Sequence, residues 1–352
     1  MACKASSAPS PPSSEHEARP ETDPQRRLVN DDWVNLPDAP PSIGEFLALD
    51  LQPLPVIPVV GLLLAAAYLL GAVRLWATGR RWSVGRTVTF LMGCVAIVMV
   101  TGLGVEGYGY VMFSVFMFQQ LTLMMLIPPL LVLGSPGTLL LRATPHRGLG
   151  RVVLRLVFFV LRSRAGRWVL HPAFAVPLFL FLFYGLYLAD LADPILAAPL
   201  GHVGLELGFL AAGLIFTIPI LSSDPLPIRM SYPARTLDLA AEVALHAFFG
   251  VFIMISPSLI LDSFANPPAS LGVDPLADQG VAGGLAWSYG EGPTVLMLLY
   301  ILHRWFRDDT SKAAAADLRA VRDGDPDLDA YNEYLAQLRQ RDHQQPESDA
   351  PR

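Results

Sequence analysis

Apolar residues gather in seven long runs separated by short polar stretches. The runs lie near 55–76, 87–105, 110–133, 172–189, 204–221, 238–261 and 285–305. Crossing about 30 Å of hydrocarbon takes about 20 apolar residues in a helix. Lipid offers no partner to an unpaired backbone amide, so each run is read as a helix. The third run stays apolar to Leu141 and contains Pro128-Pro129. Proline removes a backbone donor and kinks a helix, so this span is expected to end near the prolines. A short second piece, interfacial or re-entrant, then closes at Gly134-Ser135-Pro136-Gly137.

The loops between runs alternate in charge. Arg80, Arg81 and Arg86 follow the first run, and Arg142, Arg147, Arg151, Arg155, Arg162, Arg164 and Arg167 follow the third. Arg229 and Arg235 follow the fifth, and Arg304 and Arg307 close the seventh. The intervening loops carry Glu106, then Asp190 and Asp193, then Asp262, Asp274 and Asp278, without Lys or Arg. Basic loops stay on the cytoplasmic side. The fold class expected is an all-α integral membrane protein of about seven transmembrane helices, N-terminus outside and C-terminus cytoplasmic.

Composition agrees. The chain is 53% hydrophobic and 16% charged, against about a quarter charged in soluble domains. A net charge of −6 argues against a nucleic-acid partner. Cys3 and Cys94 stand far apart and form no CxxC pair, so no disulfide framework or zinc knuckle is expected. Residues 1–53 read as a disordered polar segment without the apolar core of a signal peptide. Residues 54–306 read as the seven-helix transmembrane domain and 307–352 as a cytoplasmic tail. In that tail Tyr331, Leu335 and Leu338 fall at helical spacing, which fits either a short amphipathic helix or a solvated chain.

Ionisable groups inside spans face the bundle interior or a polar cavity. The sixth run places Asp238, Glu242 and His246 at four-residue steps on one helix face, and the fifth places His202 and Glu206 likewise. The third carries Gln119 and Gln120, with Met117, Gln120 and Met124 at i, i+3 and i+7. One reading is a metal or proton path through spans three, five and six. Imidazole suits copper, and thioether sulfur favours Cu(I). The candidate ligands are then His202, His246, Glu206, Glu242, Met117 and Met124. The plainer reading is a satisfied interhelical His246–Glu242 pair with methionines that only pack. No nucleotide loop, nucleophile–base pair or metalloprotease motif is present.

Four ordered stretches carry a resemblance. They are AAYLLGAVRLWATGRRWSVGRTVTFLMG at 66–93 and FQQLTLMMLIPPLLVLGSPGTLLLRATP at 118–145. Then come HPAFAVPLF at 171–179 with GHVGLELGFLAAGLIF at 201–216 and DPLPIRMSYPAR at 224–235, and HAFFGVFIM at 246–254 with ADQGVAGGLAWSYGEGPT at 277–294. Over about residues 55–340 the chain resembles the multi-spanning cytochrome c oxidase assembly factor family called CtaG. The resemblance implies a helper in maturation of a haem–copper oxidase, assisting copper delivery, in the plasma (inner) membrane of a prokaryote. The partners it implies are the lipid bilayer and oxidase subunits. Three positions depart from the family pattern, with Phe116, Gln120 and Gly208 standing where relatives carry histidine. Either copper is held by the residues that remain, or the chain keeps the fold without that step. A membrane transporter of a metal ion or small solute and a metal-free structural partner are the alternatives.

Overall fold

Residues 34–145, 148–226, 230–323 and 326–344 are described by a computed structural model, in which these residues form helices and no strand. His16, His146, Arg147 and Arg229 lie outside the described residues, as does 1–33 of the polar leader. Residues 34–53 run mostly as irregular chain with one helical turn, Ile43–Phe46. Eleven longer helices follow. They are α1 (Val56–Ala77), α2 (Val84–Gly102), α3 (113–133), α4 (Pro136–Ala143), α5 (Leu149–Arg162) and α6 (Pro172–Leu188). After them come α7 (Gly201–Leu221), α8 (Tyr232–Ile255), α9 (Pro275–Ser288), α10 (Glu291–Asp323) and α11 (Pro326–Gln344).

Five of the described helical stretches are long and apolar enough to cross a membrane: α1, α2, the continuous run Phe113–Ala143, α7 and α8. The shorter apolar helix α6 adds a sixth apolar element. The run expected as a seventh span is divided at Tyr289-Gly290 between α9 and α10. Asp274 caps α9 by accepting from the Ala277 amide at 3.0 Å, and Pro275 starts it. Further along α9, Asp278 accepts from the Ser114 amide at 3.1 Å and Gln279 bridges Ile260 and Ser258 at 2.8 and 2.9 Å. These polar anchors fix α9 as a separate packed helix.

α3 sits at the centre, touched by α2, α7 and α9; α1 packs on α2 and α4, and α8 on α9 and α10. The double proline does not end α3. A π segment, Thr122–Leu126, precedes it, and the helix continues through Ile127–Leu133 to a turn at Gly134-Ser135. The wider π turn accommodates the missing donor and bulky ring of Pro128. Basic and acidic loops collect at opposite ends. At one end Arg80 donates to the Arg142 carbonyl, Asp224 caps Gly137 and Thr138, and Arg304 reaches Ser223. At the other, Asp193 accepts from the amides of Asp262 and Ser263.

α8 and α9 meet through glycine. A Cβ at Gly250 would stand 2.8 Å from the Ala286 carbonyl carbon, and one at Gly283 would stand 2.7 Å from Met254 Cα. In lipid, where no hydrophobic force drives helices together, such close backbone approach supplies the packing. Gly250→Val should therefore destabilise the detergent-solubilised protein by about 1–3 kcal/mol, read as a lower midpoint of thermal unfolding. Gly284→Ala, whose Cβ meets nothing within 4 Å, should leave the midpoint unchanged or slightly raised.

Candidate metal centre

Three buried side chains converge between α2, α3 and α7. After α2 the chain makes one helical turn, Val105–Gly109, which turns Glu106 inward. Two glycines allow this. Gly107 lies where a Cβ would stand 2.8 Å from the Asn35 carbonyl, and Gly109 packs directly on the Gln119 amide. Segment 34–53 covers the turn from outside: Tyr108 donates to the Ala39 carbonyl at 2.8 Å and the Gly104 amide to Ala48 at 2.8 Å.

α7 contributes His202 and Glu206, one turn apart and on the same face. His202 Nε2 lies 3.7 Å from Glu106 Oε1 and 3.9 Å from Glu206 Oε1. One ligand atom from each of the three lies within 4.8 Å of the other two. Exposure is 3% for Glu106, 3% for His202 and 1% for Glu206. Gln119 Nε2 holds the carboxylates in place, donating to Glu106 at 2.6 Å, to Glu206 at 3.5 Å and to the Val100 carbonyl at 3.0 Å. Tyr110 stacks on His202 with ring centroids 4.0 Å apart, and Phe116 closes another side at 5.4 Å.

Burial pushes the Glu106 carboxyl above the ordinary carboxylate range, and hydrogen bonds to Glu206 and Gln119 only partly offset it. Burial, reinforced by the two carboxylates, also pushes the Tyr110 hydroxyl up. Neither nitrogen of His202 has a hydrogen-bond partner among the described residues. A buried orphan imidazole facing two carboxylates fits a divalent ion. Two oxygen donors and one nitrogen suit Zn(II) or Cu(II), and the two negative charges balance the ion's two positive ones.

The other candidates divide between this centre and a second location. Glu242 and His246 lie together on α8, with His246 Nδ1 3.5 Å from Glu242 Oε1. The rings of Phe116, Phe264, Phe113, Tyr187, Phe249 and Phe183 form a packed chain from His202 to His246. Gln120 is wholly buried. It accepts from the Tyr187 hydroxyl and donates to the Leu182 carbonyl at 3.2 Å, tying α3 to α6. Met117 is buried in the core, and Met124 lies where α3 passes Gly213 of α7. The Met125 thioether and His246 Nε2 both pack against Gly290. The π segment sets this register, because one extra residue in the turn moves the repeating face from i+4 to i+5. Phe116 does stand against the His202 ring, whereas Gly208 has open space where a side chain would be. Glu106 is the ligand candidate that sequence reasoning missed, since it reads as a loop charge. Its signal is a lone carboxylate among Gly104, Gly107 and Gly109 with Tyr108 and Tyr110 alongside.

Comparison with known proteins places the chain. The profile of the cytochrome c oxidase caa3 assembly factor family matches residues 66–308. Uncharacterized proteins of Mycobacterium bovis and Mycobacterium tuberculosis are each 37% identical over 289 residues, covering 80% of this chain and 43% of the relative. One of Mycobacterium leprae is 36% identical over 289 residues, with 80% and 44% covered. The chain thus spans less than half the length of these curated relatives. No solved structure matches.

Glu106→Gln separates the metal-free from the metal-loaded state. Removing one of two buried carboxylates relieves their repulsion, so the chelator-treated variant should be as stable as wild type or more stable, by about 1 kcal/mol. Added Zn(II) should raise the unfolding midpoint of wild type and leave that of the variant unmoved. Thermal unfolding with and without the ion checks both signs.

Proposed function

The chain belongs to the cytochrome c oxidase caa3 assembly factor family, and on that premise we propose that it is a bacterial cell-membrane assembly factor assisting copper delivery to a haem–copper oxidase. It is a handler of metal and a docking partner of oxidase subunits, not an enzyme. The observation that carries the metal part is the Glu106–His202–Glu206 cluster, which lies inside the matched segment and leaves both ring nitrogens of His202 without a hydrogen-bond partner among the described residues. Copper is the cargo in this reading, not a resident cofactor.

The membrane arrangement that goes with it has seven crossings, the N-terminus outside and the C-terminus in the cytoplasm. Its support is the gathering of Arg80, Arg142 and Arg304 at one end of the bundle and of Asp193 and Asp262 at the other. The trio then lies on the outer side, under the segment 34–53. Phe116, which the resemblance sets at a family histidine position, leaves a smaller donor set, so carboxylate takes the place of imidazole around the ion.

Deleting the gene tests this reading. Oxidase activity and oxidase copper content should both fall, and wild-type protein should restore them. The double variant His202→Gln, Glu206→Gln should reach the membrane at normal level and fail to restore copper content. An oxidase of normal activity and normal copper in the deletion strain would overturn the assembly role.

A further inference from the structure

We propose a second, chemically different metal site at the break between α9 and α10, where His246 and Met125 hold a soft monovalent ion of the Cu(I) class. It shares with the proposed function only the premise that this chain handles metal within the membrane, and it uses none of the outer trio.

The break itself builds the site. Gly290 stands between the two helices, and a Cβ there would lie 2.7 Å from His246 Nε2 and 2.8 Å from Met125 Sδ. An imidazole nitrogen and a thioether sulfur therefore converge over backbone that carries no side chain. A Cβ at 290 would clash with both donors and push them apart. Met125 reaches this point because the π segment Thr122–Leu126 rotates it there, and Tyr289 ties the break to that segment through its 3.1 Å contact with the Thr122 hydroxyl.

The ring is set in the ligand tautomer. His246 Nδ1 faces Glu242 on two sides, 3.3 Å from its backbone carbonyl and 3.5 Å from Oε1. A proton on Nδ1 is donated to the Glu242 backbone carbonyl and leaves the Nε2 lone pair free. A carboxylate behind a histidine is the usual device that orients a metal-binding imidazole. His246 is 1% exposed, and its Nε2 has no hydrogen-bond partner among the described residues. Neither Glu242 carboxylate oxygen has one either.

Charge and softness select the ion. The outer trio sets two carboxylates around one imidazole, which suits a divalent ion. Here the donors are one neutral imidazole and one neutral thioether, with Glu242 behind the ring, so softness of the donors selects the ion. Glu291, partly buried at the start of α10, adds attraction for a cation rather than an anion. Thioether sulfur selects Cu(I) over the harder divalent ions.

The test uses the full chain in detergent under reducing conditions, titrated with Cu(I) against a chromophoric chelator and followed by X-ray absorption at the copper edge. Wild type should show sulfur in the copper coordination shell. Met125→Leu should lose the sulfur and bind about tenfold or more weakly, and Glu242→Gln should weaken binding by about tenfold. Gly290→Ala should block the ion while both donors remain. Gly284→Ala, whose Cβ meets nothing within 4 Å, should leave the sulfur signal and the affinity unchanged. A wild-type spectrum without sulfur, or equal Cu(I) affinity in Met125→Leu and wild type, would overturn the site. The spectrum needs no variant, so misfolding of one does not protect the proposal. Loss of the sulfur signal alone leaves the oxidase role standing, and a normal oxidase in the deletion strain leaves this site standing.

Discussion

Burial of charge in a bundle solvated by lipid is the constraint that the rest of the structure depends on. Glu106, His202 and Glu206 lie almost wholly out of solvent and within 4.8 Å of one another. Two ionised carboxylates at that separation in a low-dielectric interior repel strongly unless a proton or a cation sits between them. Gln119 supplies hydrogen bonds to both, yet it supplies no charge. In the metal reading proposed above, a cation takes the place of that proton and the imidazole of His202 supplies the third donor. Segment 34–53, folded over the Val105–Gly109 turn, closes the outer face over this group.

Everything around the centre follows from letting backbone come close where side chains would interfere. Gly107 and Gly109 let the turn settle under the covering segment and against Gln119, and Gly250 and Gly283 let α8 and α9 meet backbone to backbone. The π segment of α3 has the same logic along the helix axis. It makes room for Pro128 and, in doing so, turns Met125 toward Gly290. Aromatic rings fill the region between the two polar groups, so each sits in its own pocket of the bundle.

Much of this was legible in the chain. The apolar runs marked α1, α2, α3, α7 and α8 because a membrane helix needs a long stretch with few charges, and length is visible in sequence. The four-residue steps placed Glu206 with His202 and Glu242 with His246 because both pairs lie on regular α-helix. What failed did so where regularity failed. The run 285–305 hides a break, because Gly290 lies within apolar sequence and its meaning comes from what packs on it. The Met117, Gln120, Met124 stripe assumed an unbroken 3.6-residue period, which the π segment removes. Glu106 was hidden by its place in a loop, since only the fold shows that the glycine-rich turn points it inward. The polar leader was read as disordered throughout, and residues 34–53 instead pack on that turn, while 1–33 lie outside the described residues.

The central claim is that the Glu106–His202–Glu206 group is a metal centre rather than a buried hydrogen-bonding cluster. The most direct measurement is metal content by mass spectrometry of the full chain purified from membranes without chelator, beside Glu206→Gln prepared identically. The account predicts about one divalent-class ion per wild-type chain bound at the trio and its loss from Glu206→Gln, with both proteins folded. Wild type that is folded yet free of metal, and that takes up none when Zn(II) or Cu(II) is supplied, would contradict it.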